Sequence, residues 1–469
     1  MAFLIGGANS AAADTAFSVA NSCRFNDGDS SYMHKTPGGA GDRRQWTFSA
    51  WIKRGVLGTS QYIFNSKNGS ADQIFFNTDD KFQVGIESIS ADYVTTAIYR
   101  DTSAWYHFVA AVDTDQGTAA NRVRVYVNGT EITSFSTETD PNQNTDTTMN
   151  TTEPMELGRR ISGSTDFFDG YMAEVVFIDG TQYAASDFGE FDEDSPTIWK
   201  PKDVSGLTFG TNGFYLDFED SSNLGNDVNG GTDLTESNLA ATDQSTDTPT
   251  NNFATLNPLV NGATLSEGNC KIVTTNADKF GSVSTIGMTA GKWYFEVKLI
   301  SATSSDVFML GITGDPGEDN RNNYYPGQST YGIAMICADG AVEVAGSASS
   351  YGDASTDNDI IGVALDLDNN KLYFAKNGTW QNSSDPTSGA TGTGAVAVTA
   401  VTSTTSGAYH FIVGDGSASH NTSMEINFGN PPYANSSSVA DANGYGAFEY
   451  APPSGYLALC TKNLGSDGG

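Results

Sequence analysis

The chain has 469 residues, of which 56 are Asp or Glu and 23 are Lys or Arg, so its formal net charge at pH 7 is -33. Such an acidic surface repels phosphate backbones and anionic membrane surfaces, so nucleic acid is excluded as an expected partner. Every apolar run is shorter than the roughly 20 residues that a bilayer-spanning helix needs, and we expect no membrane insertion.

The composition predicts an all-β protein. Gly occurs 51 times, Asn, Ser and Thr are frequent in almost every segment, and charged residues make up only 17%. This mixture is typical of short strands and turns rather than of long helices. The length is compatible with roughly two to four domains. We expect two, each an antiparallel β-sandwich.

The chain opens with a short segment, residues 1–16, that begins Met1-Ala-Phe-Leu-Ile-Gly-Gly7. It lacks the basic stretch that starts a secretion signal. We expect this segment to be an attachment arm that docks the protein to a larger assembly, and we expect no signal peptide.

Strands are predicted where apolar residues fall at every second position. In Arg122-Val-Arg-Val-Tyr-Val-Asn-Gly129 three valines share one face, and the Asn-Gly pair predicts a tight hairpin turn. Further strands are predicted in this half over 46–54, 61–65, 82–86, 106–113 and 172–178. Because no helical apolar stripe persists, only short helical turns are expected, one near 184–188.

Several motifs of the first half follow one another in a recognisable order. They are Trp46-Thr-Phe-Ser-Ala-Trp-Ile-Lys53, Trp105-Tyr-His-Phe-Val-Ala110, Val125-Tyr-Val-Asn-Gly129 and Gly170-Tyr-Met-Ala-Glu-Val175. Together they resemble the laminin G-like, concanavalin A-like jelly rolls over residues 17–185. His107 lies beside Trp105, and no Ser or Cys occupies a recognisable nucleophile motif, so His107 is expected to be structural.

Residues 186–256 are rich in Asn, Asp, Gly, Ser and Thr and are predicted to form an acidic connector. Within them Glu190, Asp192 and Asp194 approach the alternating carboxylates of some glycan hydrolases. The run lies beyond the first sandwich and stops at Pro196. It is therefore interpreted as an acidic loop, and no enzyme is expected.

The same connector contains a candidate calcium loop, Asp227-Val-Asn-Gly-Gly-Thr-Asp233. Asp227, Asn229 and Asp233 would present oxygen ligands of the kind that Ca²⁺ prefers. Turn formation by the same residue types is the alternative interpretation.

In the second half, strands are predicted over 293–300, 307–312, 360–366, 371–376 and 410–414. The motifs Gly291-Lys-Trp-Tyr-Phe-Glu-Val297, Tyr331-Gly-Ile333, Ile360-Ile-Gly-Val-Ala-Leu-Asp366 and Leu372-Tyr-Phe-Ala-Lys-Asn-Gly378 are similar to those of SPRY domains. The resemblance covers residues 257–464 and implies a second concanavalin A-like sandwich that binds through its loops. Residues 465–469 are a short tail.

Ligand-binding candidates in this half are aromatic residues near Asn and Asp, which combine a stacking face with hydrogen-bonding groups. Tyr324 and Tyr325 lie in a polar loop, and Trp380 follows a predicted hairpin turn. Packing of each ring against its own loop is the alternative. The four cysteines are widely spaced with no metal-binding pattern, and we expect them to be buried free thiols.

A third resemblance concerns the junctions and ends of the chain. The segments Phe25-Asn-Asp-Gly-Asp29, Trp199-Lys-Pro-Lys202, Gly210-Thr-Asn-Gly-Phe-Tyr-Leu216 and Pro452-Pro-Ser-Gly-Tyr-Leu-Ala-Leu-Cys460, with the opening Met1 to Gly7, resemble those of tailed-bacteriophage virion proteins. This resemblance implies a virion surface location and contacts with other virion proteins through the N-terminal arm. It also implies a tail-fibre or receptor-binding function.

We therefore expect a non-enzymatic virion surface protein, acting as a homo-oligomer, whose loops bind host glycan or protein. A structural decoration or fibre protein of the capsid or tail is the main alternative. A glycan depolymerase is the third.

Overall fold

The computed structural model describes residues 17–68, 70–259, 263–274, 280–302, 308–317, 324–417 and 421–467. Strands make up 40% and helix 7%, which confirms the all-β prediction. The predicted attachment arm, residues 1–16, lies outside the described residues. Within the described part of the chain, no helix has the length and apolar character that crossing a bilayer requires.

The described residues of the first half form eighteen strands. They are β1 (Ser22–Phe25), β2 (Tyr32–Lys35), β3 (Gln45–Arg54), β4 (Gln61–Asn68), β5 (Ser70–Phe76), β6 (Phe82–Ile86), β7 (Ala91–Thr95), β8 (Tyr106–Asp113), β9 (Val123–Val127), β10 (Thr130–Glu131), β11 (Phe135–Thr139), β12 (Met155–Leu157), β13 (Gly170–Asp179), β14 (Gly189–Phe191), β15 (Trp199–Pro201), β16 (Phe214–Leu216), β17 (Thr235–Ser237) and β18 (Gln244–Ser245). One sheet has the order β10-β9-β8-β3-β13-β1-β18, with β16 beside β13. The other has the order β11-β7-β6-β5-β4-β12-β2-β17, and β14 and β15 form a separate ribbon.

The long central strands β3, β8 and β13 are buried on both faces. Their inner face meets the second sheet, where Phe48 of β3 stacks on Phe64 of β4 with ring centroids 4.8 Å apart. Their outer face is covered by the chain that follows β13, so that Val109 and Val176 pack in one cluster with Phe209. Burial on both faces explains why β8 and β13 contain consecutive apolar residues, over 108–112 and 175–178, rather than an alternating pattern.

The stretch 186–256, expected to be a connector, takes part in the first sandwich. Strand β16 pairs with β13, β17 with β2, and β18 with β1, so this stretch extends both sheets. These strands have two or three residues each, too few for an alternating pattern to be read from the sequence. The short helical turn expected near 184–188 is present as a 3₁₀ turn over Ala185–Asp187.

The second half contains fifteen strands and one α-helix among its described residues. They are β19 (Thr264–Ser266), β20 (Lys271–Val273), β21 (Phe280–Val283), β22 (Lys292–Ala302), β23 (Phe308–Thr313), β24 (Gly332–Ile336), β25 (Ala341–Val344), β26 (Ser347–Ser350), β27 (Ile360–Asp366), β28 (Lys371–Lys376), β29 (Thr379–Trp380), β30 (Val396–Ala397), β31 (His410–Asp415), β32 (Thr422–Asn427), β33 (Leu457–Ala458) and α1 (Thr461–Asp467). One sheet has the order β19-β20-β32-β22-β27-β28-β29, with β30 and β33 at its side, and the other has the order β21-β31-β23-β24-β25-β26. Phe295 and Phe411 join the two sheets, with ring centroids 4.1 Å apart.

Two hairpins have the turn that their Asn-Gly pairs predict. Asn128 and Gly129 have φ of 46° and 78°, and Asn377 and Gly378 have φ of 47° and 77°. Two consecutive left-handed residues match the twist of the flanking strands, and Asn and Gly adopt this conformation at the lowest cost. The four cysteines are buried free thiols, as expected.

The two sandwiches are joined by a buried polar junction. The Lys53 ammonium lies 2.6 Å from the Asp247 carboxylate and donates to the Phe253 carbonyl at 2.9 Å. Tyr171 of the first sandwich donates to the Gly268 carbonyl of the second at 3.0 Å, and the Asn269 amide donates back to the Gly55 carbonyl at 3.1 Å. These contacts hold the two sandwiches in one arrangement.

Candidate functional site

A cleft of about 530 Å³ lies along the junction between the two sandwiches. This volume is within the range of small-molecule binding sites. The first sandwich contributes polar residues that include Asn21, Ser221, Thr242, Gln244 and Thr246. The second contributes Tyr433, Asn435 and Ser438.

Arg24 holds both walls of the cleft in place. Its side chain is 1% exposed, and its guanidinium donates to the Thr242 carbonyl at 2.7 Å and to the Pro431 carbonyl at 3.4 Å. It also lies 3.6 Å from Asp243 and 3.3 Å from Glu267. Because the planar guanidinium has five donors, one buried side chain can hold segments from both sandwiches.

Glu296 of β22 fixes the wall that the second sandwich provides. Its carboxylate accepts from the Asn427 amide at 3.1 Å, from the Tyr433 hydroxyl at 3.5 Å and from the backbone N–H of Tyr450 at 2.8 Å. Burial raises the pKa of Glu296, although these donors favour its ionised form. The loop that carries Tyr433 is thereby tied to a central strand of the sheet.

The cleft presents neutral hydrogen-bonding groups that the protein itself leaves open. Among the described residues, Oδ1 of Asn21, Oε1 of Gln244 and the hydroxyls of Ser221, Thr242 and Ser438 make no hydrogen bond to another protein group, and none of the lining side chains is charged. Both N–H groups of the Gln244 amide donate to backbone carbonyls, at 2.8 and 2.9 Å. Its Oε1 therefore has a fixed position from which it can accept a hydrogen bond from a ligand.

The three predicted ligand-binding aromatics lie elsewhere. Tyr325 precedes β24, and its phenol hydrogen-bonds to Glu343; burial and this carboxylate raise the pKa of Tyr325 to about 12. Trp380 lies on β29 in the other sheet and packs half-buried against the core. Tyr324 is half-buried next to Tyr325. The structure does not bring the two tyrosines and Trp380 together, and none of the three lines the cleft. They stay predictions.

The candidate calcium loop is held together by its own hydrogen bonds. Oδ1 of Asp227 accepts from the backbone N–H of Tyr215 at 3.0 Å and of Asn229 at 3.1 Å, and Asp233 accepts from the Asp227 N–H. Oδ2 of Asp227 lies 3.7 Å from the Lys35 ammonium. No group of three or more His, Cys, Asp or Glu side chains in the described chain is placed to hold a metal ion. The contacts are those of a turn, and calcium binding here stays a prediction.

The carboxylates considered for catalysis lie on the β14–β15 ribbon. Glu190 is exposed and Asp192 is half-buried, and they lie 3.5 and 3.4 Å from the Lys200 ammonium. The Ser195 backbone N–H lowers the pKa of Asp192. The acid of a glycosidase needs a raised pKa, which a position shielded from solvent gives.

His107 is enclosed by aromatic rings. It stacks between Trp51 and Trp199 with centroid distances of 4.9 and 6.0 Å. Nδ1 accepts from Trp199 Nε1 at 3.0 Å, so Nε2 carries the proton and faces Ser49 Oγ at 2.8 Å. Burial lowers the pKa of His107 to about 3. Both ring nitrogens are thus bonded to protein groups, and the structural role expected of His107 stays a prediction.

Two family models match the chain. The first, described as the concanavalin A-like lectin/glucanases superfamily, matches residues 27–185. The second, the SPRY domain, matches residues 292–414. Together with the sheets, these matches define the class of protein: two β-sandwich domains in tandem, the first concanavalin A-like and the second SPRY-like.

Solved structures with similar folds include the SPRY domain of human HERC1, with 14% identity, 36% of this chain and 96% of that chain covered, and a TM-score of 0.29. Stonustoxin has 17% identity over 37% of this chain and 27% of that chain, with a TM-score of 0.27. A Bacteroides ovatus protein named for carbohydrate binding has 17% identity over 48% of this chain and 61% of that chain, with a TM-score of 0.33. No curated protein sequence matches the chain.

The cleft was not among the sites predicted from the sequence. Its walls come from residues near 21, 221–246 and 431–447, which no local pattern connects. Only the abundance of Ser, Thr and Asn indicated a polar binding surface, and that signal applies to the whole chain.

Proposed function

We propose that the protein is a non-enzymatic carbohydrate-binding protein and that its ligand lies in the cleft between the two sandwiches. The observation that carries the proposal is the set of five neutral hydrogen-bonding groups on the cleft walls that bond to no other protein group. Sugar hydroxyls both donate and accept, and hydroxyl and amide side chains complement them in both roles. The buried Arg24 and Glu296 hold the walls in place, which reduces the entropy cost of binding.

The same features disfavour an extended peptide as the ligand. A peptide that adds to a sheet edge needs a row of backbone groups, and the sheet edge at the cleft, β18, has only two residues. A folded protein partner typically anchors on buried aromatic or Arg residues, whereas the Arg24 guanidinium is already occupied.

The direct test is a glycan array with the full chain, followed by calorimetry on the glycans that bind. Gln244→Leu removes the Oε1 acceptor together with the two N–H donors that bond to the Phe218 and Glu219 carbonyls. It should weaken binding at least about tenfold, the cost of one hydrogen bond left unmade to the ligand. Trp380→Ala is the matched control outside the cleft and should bind normally. If Trp380→Ala abolishes binding and Gln244→Leu does not, the SPRY-domain loop is the site and the cleft is not.

We further propose that the protein is displayed on a bacteriophage virion and binds the host surface there. It is supported by the resemblance of the chain's junctions and ends to tailed-phage virion proteins. Display of many copies would make weak single sites sufficient through avidity.

Labelling purified phage particles with an antibody to the chain tests this proposal. Label at the distal tail supports host binding. Label on the head surface, with extensive burial between subunits, supports a structural decoration protein instead. Particles that lack the chain overturn both.

Absence of enzymatic activity is tested on the glycans that the array identifies. No release of reducing ends is expected from the full chain. Release that is lost in Glu190→Gln or Asp192→Asn would establish a depolymerase and overturn the non-enzymatic proposal.

A further inference from the structure

A second, smaller cavity of about 210 Å³ lies beside the cleft along the same junction. Both cavities are lined by Thr246, whose hydroxyl donates across the junction to the Gly429 carbonyl at 2.9 Å. The chain neighbours Ala20 and Asn21 line one cavity each, as do Gly446 and Ala447. The two cavities therefore lie side by side along the junction, with Thr246 at their boundary, and are referred to below as the two parts of the groove.

The two parts of the groove differ in chemistry. The larger one has neutral hydroxyl and amide groups, whereas the smaller one contains a half-buried aromatic ring, Tyr445, and an ammonium, Lys462. The Lys462 Nζ lies 5.6 Å from the centroid of the Tyr445 ring and 3.3 Å from the Ser18 hydroxyl. The ammonium lies over the ring. A sugar that takes the place of the ammonium there can pack its apolar face against Tyr445, and Lys462 can donate to the sugar hydroxyls.

We propose that the ligand is an extended, uncharged oligosaccharide that lies along the junction, with one end in the larger cavity and the next units against Tyr445 in the smaller one. This inference rests on the carbohydrate-binding function proposed above. An uncharged ligand is favoured because the larger cavity offers no charged side chain among the described residues and the chain has a net charge of -33. That charge repels polyanionic glycans at long range.

A groove of two parts predicts a dependence on ligand length. A sugar that fills only the larger cavity binds weakly, and extension of the chain past Thr246 adds the contacts with Tyr445. Affinity should therefore increase about tenfold or more with the added units, equivalent to about 1.4 kcal/mol, and then reach a plateau once the groove is full.

Three variants of the full chain separate the two cavities. Gln244→Leu acts in the larger cavity and should weaken every length to a similar extent. Tyr445→Ala acts in the smaller one and should weaken only the long oligosaccharides, so that they bind no better than short ones. Because Tyr445 also packs against the core, Ala20→Phe provides a second blocking variant: Ala20 is exposed and lines the smaller cavity, so a larger side chain fills it without removing packing.

The experiment is calorimetry with five uncharged series, each from one to six units: α1-4- and β1-4-linked glucose, β1-4-linked N-acetylglucosamine, β1-4-linked galactose and β1-4-linked mannose. Ala120→Phe, in the exposed turn before β9, is the matched control and should retain the length dependence. A length dependence that disappears in Tyr445→Ala and in Ala20→Phe supports the proposal.

Affinity that does not depend on length, or that keeps its length dependence in Ala20→Phe, overturns the two-part groove while the binding function stands. Failure of all five series to bind overturns the proposal that the ligand is uncharged. Binding of an acidic polysaccharide on the array then identifies the ligand as a charged glycan. An array with no bound glycan of any kind overturns the carbohydrate-binding function itself.

Discussion

Removal of the Lys53 ammonium tests how the two sandwiches are held together. Nζ lies 2.6 Å from the Asp247 carboxylate, 2.7 Å from the Asn252 amide oxygen and 2.9 Å from the Phe253 carbonyl. Lys53 is 1% exposed and Asp247 is fully buried. Lys53→Met keeps most of the side-chain volume but leaves three buried acceptors without this donor. Loss of one partner of a buried ion pair costs about 3–5 kcal/mol, and this is the decrease in unfolding free energy that we expect.

The loss should also depend on pH. Burial raises the pKa of Asp247, and the Lys53 ammonium counteracts that effect. Without the ammonium, the folded-state pKa of Asp247 rises further above its unfolded value. A raised carboxyl pKa stabilises the fold at low pH and loses that contribution as the pH increases through the folded pKa. The destabilisation caused by Lys53→Met should therefore be smaller at pH 5 than at pH 8.

Urea denaturation followed by Trp fluorescence at both pH values measures the effect. Lys202→Met is the control, because Lys202 is exposed and its ammonium contacts only the Ser186 carbonyl, at 3.3 Å. A cost below 1 kcal/mol for Lys53→Met that is equal at pH 5 and pH 8 would refute the reasoning about the buried junction.

Two other titratable groups lead to opposite pH effects. Burial raises the pKa of Glu174 to about 8. Between the ordinary pKa of a glutamate and about pH 8, the contribution of Glu174 to the unfolding free energy should therefore decline by about 1.4 kcal/mol per pH unit. Glu174→Gln should lack this slope, which is measured as the difference in unfolding free energy between variant and parent across that range. The pKa of His107 is lowered to about 3 by burial, so its contribution should be lost as the pH falls from about 6.5. NMR titration should show that the His107 ring stays neutral at pH 4, and an ionisation above pH 5 would contradict the enclosed site. Glu296→Gln leaves the loop of Tyr433 less firmly held and should weaken glycan binding in calorimetry, while Glu190→Gln should not.

The sequence predicts most of the long strands. The run Trp105-Tyr-His-Phe-Val-Ala110 corresponds to β8, which spans Tyr106–Asp113, and the predicted strand 360–366 coincides with β27. These strands are long and rich in β-branched and aromatic residues, so their local pattern is sufficient. The Asn128-Gly129 turn was predictable for the same reason, since its conformation depends on two adjacent residues.

The parts that were not predicted depend on contacts between distant residues. Strand β18 has two residues and exists because Ser245 pairs with Ser22, far away in the chain. The cleft similarly depends on Arg24, which reaches both Thr242 and Pro431. An Arg early in the chain gives no local sign of its partners, since any exposed Arg has the same sequence context. Such sites can be recognised only from the tertiary structure.

The distribution of hydrogen-bonding groups favours the junction over the SPRY-domain loops as the ligand site. Tyr325 already bonds to Glu343, so a ligand there would compete with an existing contact. In the cleft, by contrast, Gln244 and Ser438 have unused hydrogen-bonding capacity on walls that buried charged side chains hold in place. Binding to a preorganised surface avoids the cost of ordering loops. Because each sandwich contributes one wall of the cleft, substitutions at the junction should change which ligand binds more than substitutions elsewhere on either sandwich.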